Sequence, residues 1–290
     1  RPRSLSQPPR RGLCPMANLS CMNRPPVDQR RVRRHFSGHA EEYERYAQVQ
    51  KRVVTGLLER LARLGPFSGP ILEVGAGTGA LGEKVAGLHP HLPLVVTDLA
   101  HGMTRQAAAR LPDASALDAD AACLPFGDRS FGLMLSASMY QWIVDLPAAF
   151  AESARVLKPG GHFVFALFGA RTLCELRSSH RRAQAEIDGG RPSHAQEFPS
   201  RQEVAEALRS AGFSGIAVES VDEREHHADV PDLLRSLKRI GAQNASRSGP
   251  PGLASRRVME RMMELYRREH GREGMIPATY EVLYGLGRRP

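Results

Sequence analysis

The chain is poor in the features that mark several classes of protein. Its 290 residues hold four cysteines (Cys14, Cys21, Cys123 and Cys174), and none has metal-ligand spacing. They read as free thiols in a reducing compartment, which together with the lack of a visible signal peptide gives a cytoplasmic expectation. No apolar run approaches the ~20 residues that a membrane span needs. Acidic residues are scarce at one end: residues 1–34 contain nine arginines and a single acid, Asp28. Most of the net charge of +9 therefore sits there, and the remainder of the chain is close to neutral. A nucleic-acid binder would need a basic face on the folded part, so that class is set aside. No internal repeat is visible.

What is present suits one large α/β domain with a real core. Hydrophobic residues make up 41% and charged residues 24%, as in ordinary soluble globular proteins. Residues 1–29, rich in Pro, Arg and Ser, are expected to be disordered. The chain does not start with Met, and Met16 and Met22 are internal. This stretch reads as an over-extended reading frame or, alternatively, as an Arg-rich, acid-poor transit peptide. The folded domain is expected over 30–290. Between Asp28 and Leu64 the pattern is helical, with Val49, Val53, Leu57, Leu58 and Leu61 forming one apolar stripe.

The organising stretch is Ile71-Leu-Glu-Val-Gly-Ala-Gly-Thr-Gly79. It reads as a buried strand breaking into a tight glycine turn, with a helix over 81–88 behind it. Such a turn brings backbone N–H groups at a helix N-terminus towards a ligand. Gly77-x-Gly79-x-x-Gly82 also satisfies a dinucleotide fingerprint, with Asp98 nineteen residues after Gly79. Glu73, two residues before the first glycine, argues against a pyrophosphate. A carboxylate there repels phosphates and attracts an ammonium group. Together with Leu157-Lys-Pro-Gly-Gly161 ahead of a later strand, the pattern resembles class I methyltransferases that bind S-adenosylmethionine (SAM). The bland alternative is a set of glycines that only make a turn.

Further strands are expected at Leu94–Asp98, before Asp118–Pro125, at Phe131–Leu135, His162–Phe168, Ile216–Val221 and Thr279–Tyr284. Helices are expected at 147–157, 201–210, 231–240 and 255–268. In a doubly wound sheet, ligands lie at the carboxyl ends of strands. Asp98 is placed to take both ribose hydroxyls, or else to cap the following helix. Asp120, rather than Asp118, is placed for the adenine amino group. Ser136-Ala-Ser-Met-Tyr-Gln-Trp142 is expected to overhang the reacting methyl group.

Taken as a whole, the sequence resembles the malonyl-[acyl-carrier protein] O-methyltransferases of biotin biosynthesis from about Val27 to Arg289. The matching segments are Val27–Arg34 with Phe36-Ser37 and Tyr43, then Glu73–Gly79, then Gln141-Trp142. Phe168–Leu176, Leu237–Asn244 and Pro277–Gly285 follow, and these three carry the subfamily resemblance. The chain departs from the usual family pattern at Ser136-Ala137-Ser138 and at Gly38-His39-Ala40.

The resemblance implies a Rossmann-like α/β fold: a mostly parallel seven-stranded sheet with helices on both faces. It also implies a helical cap over the acceptor pocket, at about 171–195 and 228–275. SAM would be held by Glu73, Gly75, Ala76, Gly77, Gly79, Asp98, Leu99, Met103, Asp120, Ala121 and Ser136, without a metal. The acceptor would be malonyl-acyl-carrier protein or malonyl-CoA, methylated on its free carboxylate by a monomeric enzyme. A carboxylate needs no general base at neutral pH. Arg171 is expected to hold it, with Tyr43, Tyr140 and Trp142 as pocket walls. Two rivals are a methyltransferase of another small molecule, such as a quinone precursor, and a non-catalytic assembly factor on the same fold.

Overall fold

The structure, a computed structural model, describes residues 28–39, 43–189, 197–240 and 256–290. Of the stretch 1–29 expected to be disordered, residues 1–27 lie outside the described residues, as do 40–42, while Gln29 opens the first helix. So do 190–196, at the end of the first expected cap segment, and 241–255, within the second. Three helices come first: α1 (Gln29–His39), α2 (Tyr43–Tyr46) and α3 (Gln48–Leu61). The stripe read from the sequence is the inner face of α3, where Val49, Val53, Val54, Leu57 and Leu61 are buried.

The alternating unit then begins with β1 (Ile71–Val74), α4 (Ala80–Leu88), β2 (Leu94–Asp98), α5 (His101–Arg110) and β3 (Ser115–Asp118). It continues through β4 (Phe131–Ala137), a 3-10 turn (Tyr140–Trp142), α6 (Leu146–Val156) and β5 (Leu157–Phe168). The remaining elements are α7 (Cys174–Asp188), α8 (Arg201–Ser210), β6 (Ser214–His227), α9 (Val230–Arg239), α10 (Arg256–His270) and β7 (Ile276–Arg288). Local chemistry sets several boundaries. Asp145 and Asp229 cap α6 and α9, each accepting from a backbone N–H three residues on. Ser200 and Glu203 close a reciprocal capping box on α8.

The strands form one sheet in the order β3-β2-β1-β4-β5-β7-β6. The first five are mutually parallel, and β7 runs antiparallel to both β5 and β6. Strand order reverses beside β1, where β2 and β4 leave in opposite directions. Open α/β sheets bind their ligands at that point.

Apolar side chains fill both faces. On one, α3, α4, α5, α7 and α10 pack against the sheet through Leu57, Val85, Ala107, Ala183 and Leu265. On the other, α6 and α8 close over an aromatic cluster of Tyr140, Phe150, Phe163, Phe165 and Phe213.

Two strands depart furthest from the sequence expectation. The final strand read as alternating over 279–284, yet it spans thirteen residues, nearly all buried on both faces. It lies inside the sheet, between β5 and β6, so helices cover both of its sides. β6 extends beyond 216–221 because it pairs along β7 from Ser214 to His227. Across the sheet, Arg52 and Arg60 of α3 reach Glu223 and Glu219 of β6 (2.7 Å each), and the Arg60 guanidinium lies 3.7 Å from the centre of the Tyr284 ring. These contacts add to the packing of the buried stripe of α3, which holds that helix on the sheet.

Gly132 lets the segment ahead of β1 approach the start of β4 closely, its N–H donating to the Pro70 carbonyl (3.0 Å). A Cβ there would lie 1.8 Å from the Ser68 carbonyl oxygen, a backbone atom. Gly132→Ala is therefore expected to destabilise the protein by about 1–3 kcal/mol, measured by urea denaturation. A neutral result would show that the 68–70 segment moves freely.

Candidate active site

A cavity of about 420 Å³ opens at the carboxyl ends of β1, β2 and β4, roofed by α1, α2 and α3. Its floor is the glycine turn. Gly75, Gly77 and Gly79 all have positive φ (69°, 56° and 83°), the left-handed region that disfavours a side chain. Ala76 N–H donates to the Thr97 carbonyl (2.9 Å), and Gly77 N–H donates to Asp98 Oδ2 (2.9 Å). Asp98 Oδ1 accepts from Ala100 N–H (2.8 Å). Asp98 thus braces the turn from the neighbouring strand and does not cap α5, whose first residue is His101. A carboxylate has about four lone-pair sites, so these bonds leave it capacity to accept from a ligand.

Glu73 is the most unusual group in the cavity. It is 1% exposed, and its Oε2 has no hydrogen-bond partner. Burial, and then the nearby Asp98 charge, push its pKa up to about 8, against the pull of the Gly82 backbone. Burial also raises Asp98, to about 6, while the Ala100 and Gly77 N–H groups oppose the rise. A buried carboxyl with a partnerless oxygen needs a cation or a donor from a ligand. The ammonium group of an amino acid meets that need, so the residues present fit SAM.

Other residues expected to hold SAM fall as follows. Gly75, Ala76, Gly77, Leu99, Met103, Asp120 and Ala121 all line the cavity. Asp118 does not; its carboxylate pairs with His101 (2.9 Å). Gly79 shapes the turn without lining the cavity, and its α-carbon faces Ala107 and Leu111. Ser136 is a correction. It is fully buried inside the sheet, and Ala137 and Ser138 line the cavity in its place. Side chains alternate along a strand, so Leu133, Leu135 and Ala137 share the cavity side and Ser136 points away.

The acceptor side needs larger corrections. Tyr140, expected as a wall of the pocket, lies on the opposite face of the sheet. There its hydroxyl hydrogen-bonds Ser153 Oγ (2.9 Å) among Phe150, Phe163 and Phe165. Arg171 does not line the cavity. Its guanidinium pairs with Asp222 (2.6 Å) and Glu281 (3.0 Å), where it neutralises the buried Glu281 carboxylate. The described parts of the expected cap do not roof the cavity: α7 and α10 pack on one another and on β7, and none of the described residues in 171–189, 228–240 or 256–275 lines it. α9 acts indirectly, with Arg239 over the Tyr46 ring of α2 (4.7 Å).

Tyr43 and Trp142 do line the cavity. Phe36 joins them, edge-on to Trp142 (5.6 Å) and to Tyr43 (6.2 Å). Phe36 also packs against Ala100 and Met103, so one ring bridges both sides of the cavity. Within the stretch expected to overhang the methyl group, Ser138 and Met139 line the cavity beside Trp142. Ser138 has φ 57°, a conformation rare without glycine, which turns the chain out of β4. Sequence reasoning did not single out Arg33 or Lys51, which also line it. The signal for Arg33 was its spacing of three from Phe36, which puts both on one helix face. Among the described residues no His, Cys, Asp or Glu cluster could hold a metal ion, and no helix is long and apolar enough to cross a membrane.

Residues 72–165, which span the floor and β4, match a family model described as a methyltransferase domain. Over 266 residues the chain is 46% identical to the malonyl-[acyl-carrier protein] O-methyltransferase of Geobacter sulfurreducens, covering 91% of this chain and 100% of that protein. The chain belongs to the malonyl-[acyl-carrier protein] O-methyltransferase family. A biotin biosynthesis bifunctional protein of Saccharophagus degradans is 34% identical over 87% of this chain and 45% of its own length. Among solved structures, a phosphoethanolamine N-methyltransferase of Haemonchus contortus in complex with S-adenosyl-L-methionine shares the fold. Its TM-score is 0.51 at 19% identity, over 81% of this chain and 52% of that one. The family membership accounts for the sheet order and for the glycine turn at its reversal.

The raised pKa values have a measurable consequence without any ligand. A carboxyl that binds its proton more tightly when folded loses stability as pH rises from its unfolded to its folded pKa. Asp98 contributes between 3.8 and about 6, and Glu73 between 4.5 and about 8. Glu73→Gln should therefore remove the fall in melting temperature expected of the parent between about pH 6 and 8. Parallel profiles for parent and variant would mean that the Glu73 carboxyl is already ionised at the lower end of that range.

Proposed function

We propose that this chain transfers a methyl group from SAM to the free carboxylate of a malonyl thioester, giving the methyl ester that enters pimeloyl and biotin synthesis. The observation that carries the substrate is the similarity to the Geobacter sulfurreducens enzyme, which runs through that protein's whole length. The cavity supports the cofactor: a partnerless buried carboxyl stands beside a glycine turn, and a braced aspartate ends the next strand. The partner is acyl-carrier protein bearing the malonyl group, or malonyl-CoA.

When bound, SAM supplies an electrophilic methyl on a cationic sulfur, which the malonyl oxygen takes as the C–S bond breaks and its electron pair stays on sulfur. This chain's residues have three tasks. Glu73 meets the cofactor's ammonium group, which keeps the carboxylate ionised although burial favours its neutral form. Asp98 offers its remaining acceptor capacity to the ribose hydroxyls, and Asp120 lies beyond it for the adenine amino group. Phe36, Tyr43 and Trp142 wall the cavity near the end of β4 and keep water from the reacting atoms. The malonyl carboxylate is ionised well below neutral pH, so the residues need not remove a proton.

The test is incubation with methyl-labelled SAM and malonyl-carrier protein, following label into a base-labile ester. No label transfer under conditions where SAM binds would overturn the acceptor. Asp98→Ala should weaken SAM or S-adenosylhomocysteine binding by about 1.5–3 kcal/mol, the scale of hydrogen bonds to a charged group. Calorimetry on the folded variant checks it, and unchanged affinity would remove Asp98 from the site.

A further inference from the structure

With Arg171 paired to Asp222 and Glu281, the cavity needs another cation for an anionic acceptor. Among the described residues four cationic side chains line it: Arg33, Lys51, Lys84 and Arg110. They are not equivalent. Arg110 donates to Thr78 Oγ1 (3.4 Å) and lies 3.9 Å from Glu83, so it belongs to the glycine turn and α4. Lys84 sits on α4 itself. Lys51 lies on α3, which packs against α4 and so faces the same end of the cavity. That end is where Glu73 would take the ammonium of SAM, and where the α-carboxylate beside that ammonium must also find its cation.

Arg33 stands apart from these three. It lies on α1, which packs against α5 rather than α4. Its neighbour Val32 is buried against Trp142, and Phe36, one turn further, meets the same ring. Trp142 follows β4, the strand whose end overhangs the centre of the site. α1 is anchored to α5 by Gly102 N–H, which donates to Ser37 Oγ (3.4 Å). Arg33 forms no ion pair and no side-chain hydrogen bond within the described residues, and it is exposed. Its charge is thus unused, and the wall of Phe36 and Trp142 beside it is apolar.

We propose that Arg33 is the positioning residue for the acceptor, holding the malonyl carboxylate against the aromatic wall. The assignment rests on the methyl-transfer reading above. The guanidinium fork offers two parallel N–H groups to the two carboxylate oxygens. Each oxygen keeps a second lone pair, so the grip orients the acceptor and still leaves one oxygen free to attack. Lysine carries the same charge without the fork, which makes Arg33→Lys an informative partial variant.

The experiment uses the full chain with a small acceptor, malonyl-N-acetylcysteamine, so that docking of a carrier protein contributes nothing. For Arg33→Ala the KM for this thioester should rise by about thirtyfold or more, as when one partner of a charge pair is removed, with Arg33→Lys in between. SAM affinity should stay within about twofold, and the melting temperature should be unchanged, because the side chain is exposed. The methyl ester product has lost the carboxylate charge, so its inhibition constant should be the same for parent and Arg33→Ala. A purely structural role would weaken the product together with the substrate. A parent-like KM in Arg33→Ala overturns the proposal. So does a defect seen only with malonyl-carrier protein, which would make Arg33 a carrier contact, and so does an equal loss of SAM affinity. If the parent itself transfers no methyl to either thioester while binding SAM, the functional reading falls first and this assignment with it.

Discussion

Asp98 holds the site together. One carboxylate oxygen accepts from Gly77 within the glycine turn and the other from Ala100 ahead of α5. Two loops from different βα units are thus fastened to one side chain at the point where strand order reverses. The carboxylate is half-buried in the cavity wall, so water competes with these bonds less than at an open surface. Glu73 depends on the same arrangement, since the turn that shields it is the turn that Asp98 braces. Two carboxyls close together in a dry place resist joint ionisation. A ligand that brings a positive charge relieves that conflict, and this fits the cavity to a cationic cofactor better than any shape argument does.

Most of the sheet and its helices were legible in the sequence because the βα units are local. Ile71–Gly79 announces a strand, a turn and a helix within a few residues, and Leu94–Asp98 repeats the pattern. The failures came where long-range pairing or strand parity decides. Ser136 and Tyr140 are close in sequence to cavity residues, yet a period of two sends Ser136 into the sheet. Tyr140 goes to the far layer with Phe150 and Phe163. Arg171 follows β5 as expected, but β7 enters the sheet next to β5 and brings Glu281 beside the guanidinium. No local pattern reveals that neighbour, because it lies 110 residues away.

Arg33 illustrates the opposite difficulty. In the sequence it is one of many arginines near a basic stretch, and charge alone says nothing about direction. Only the phase of the helix distinguishes it, since Val32 and Phe36 fix which side of α1 faces Trp142. The described parts of the expected cap went elsewhere for a related reason. α7 and α10 are amphipathic helices outside the βα repeat, and their apolar sides found β7 rather than the cavity. The roof comes instead from the helices that precede β1, of which α3 is held by its buried stripe and by its ion pairs with β6.

Those ion pairs have a second effect at the margin of the sheet. β6 is an outermost strand of fourteen residues, with one side unpaired among the described residues, long enough to recruit a strand from another molecule. Its sequence carries Glu219, Asp222, Glu223, Arg224 and Glu225, and a stranger pairing there would have to accept a dense row of charges. The other margin, β3, has only four residues. Brevity protects one border and charge protects the other, so this sheet is guarded against growing by aggregation into a larger one.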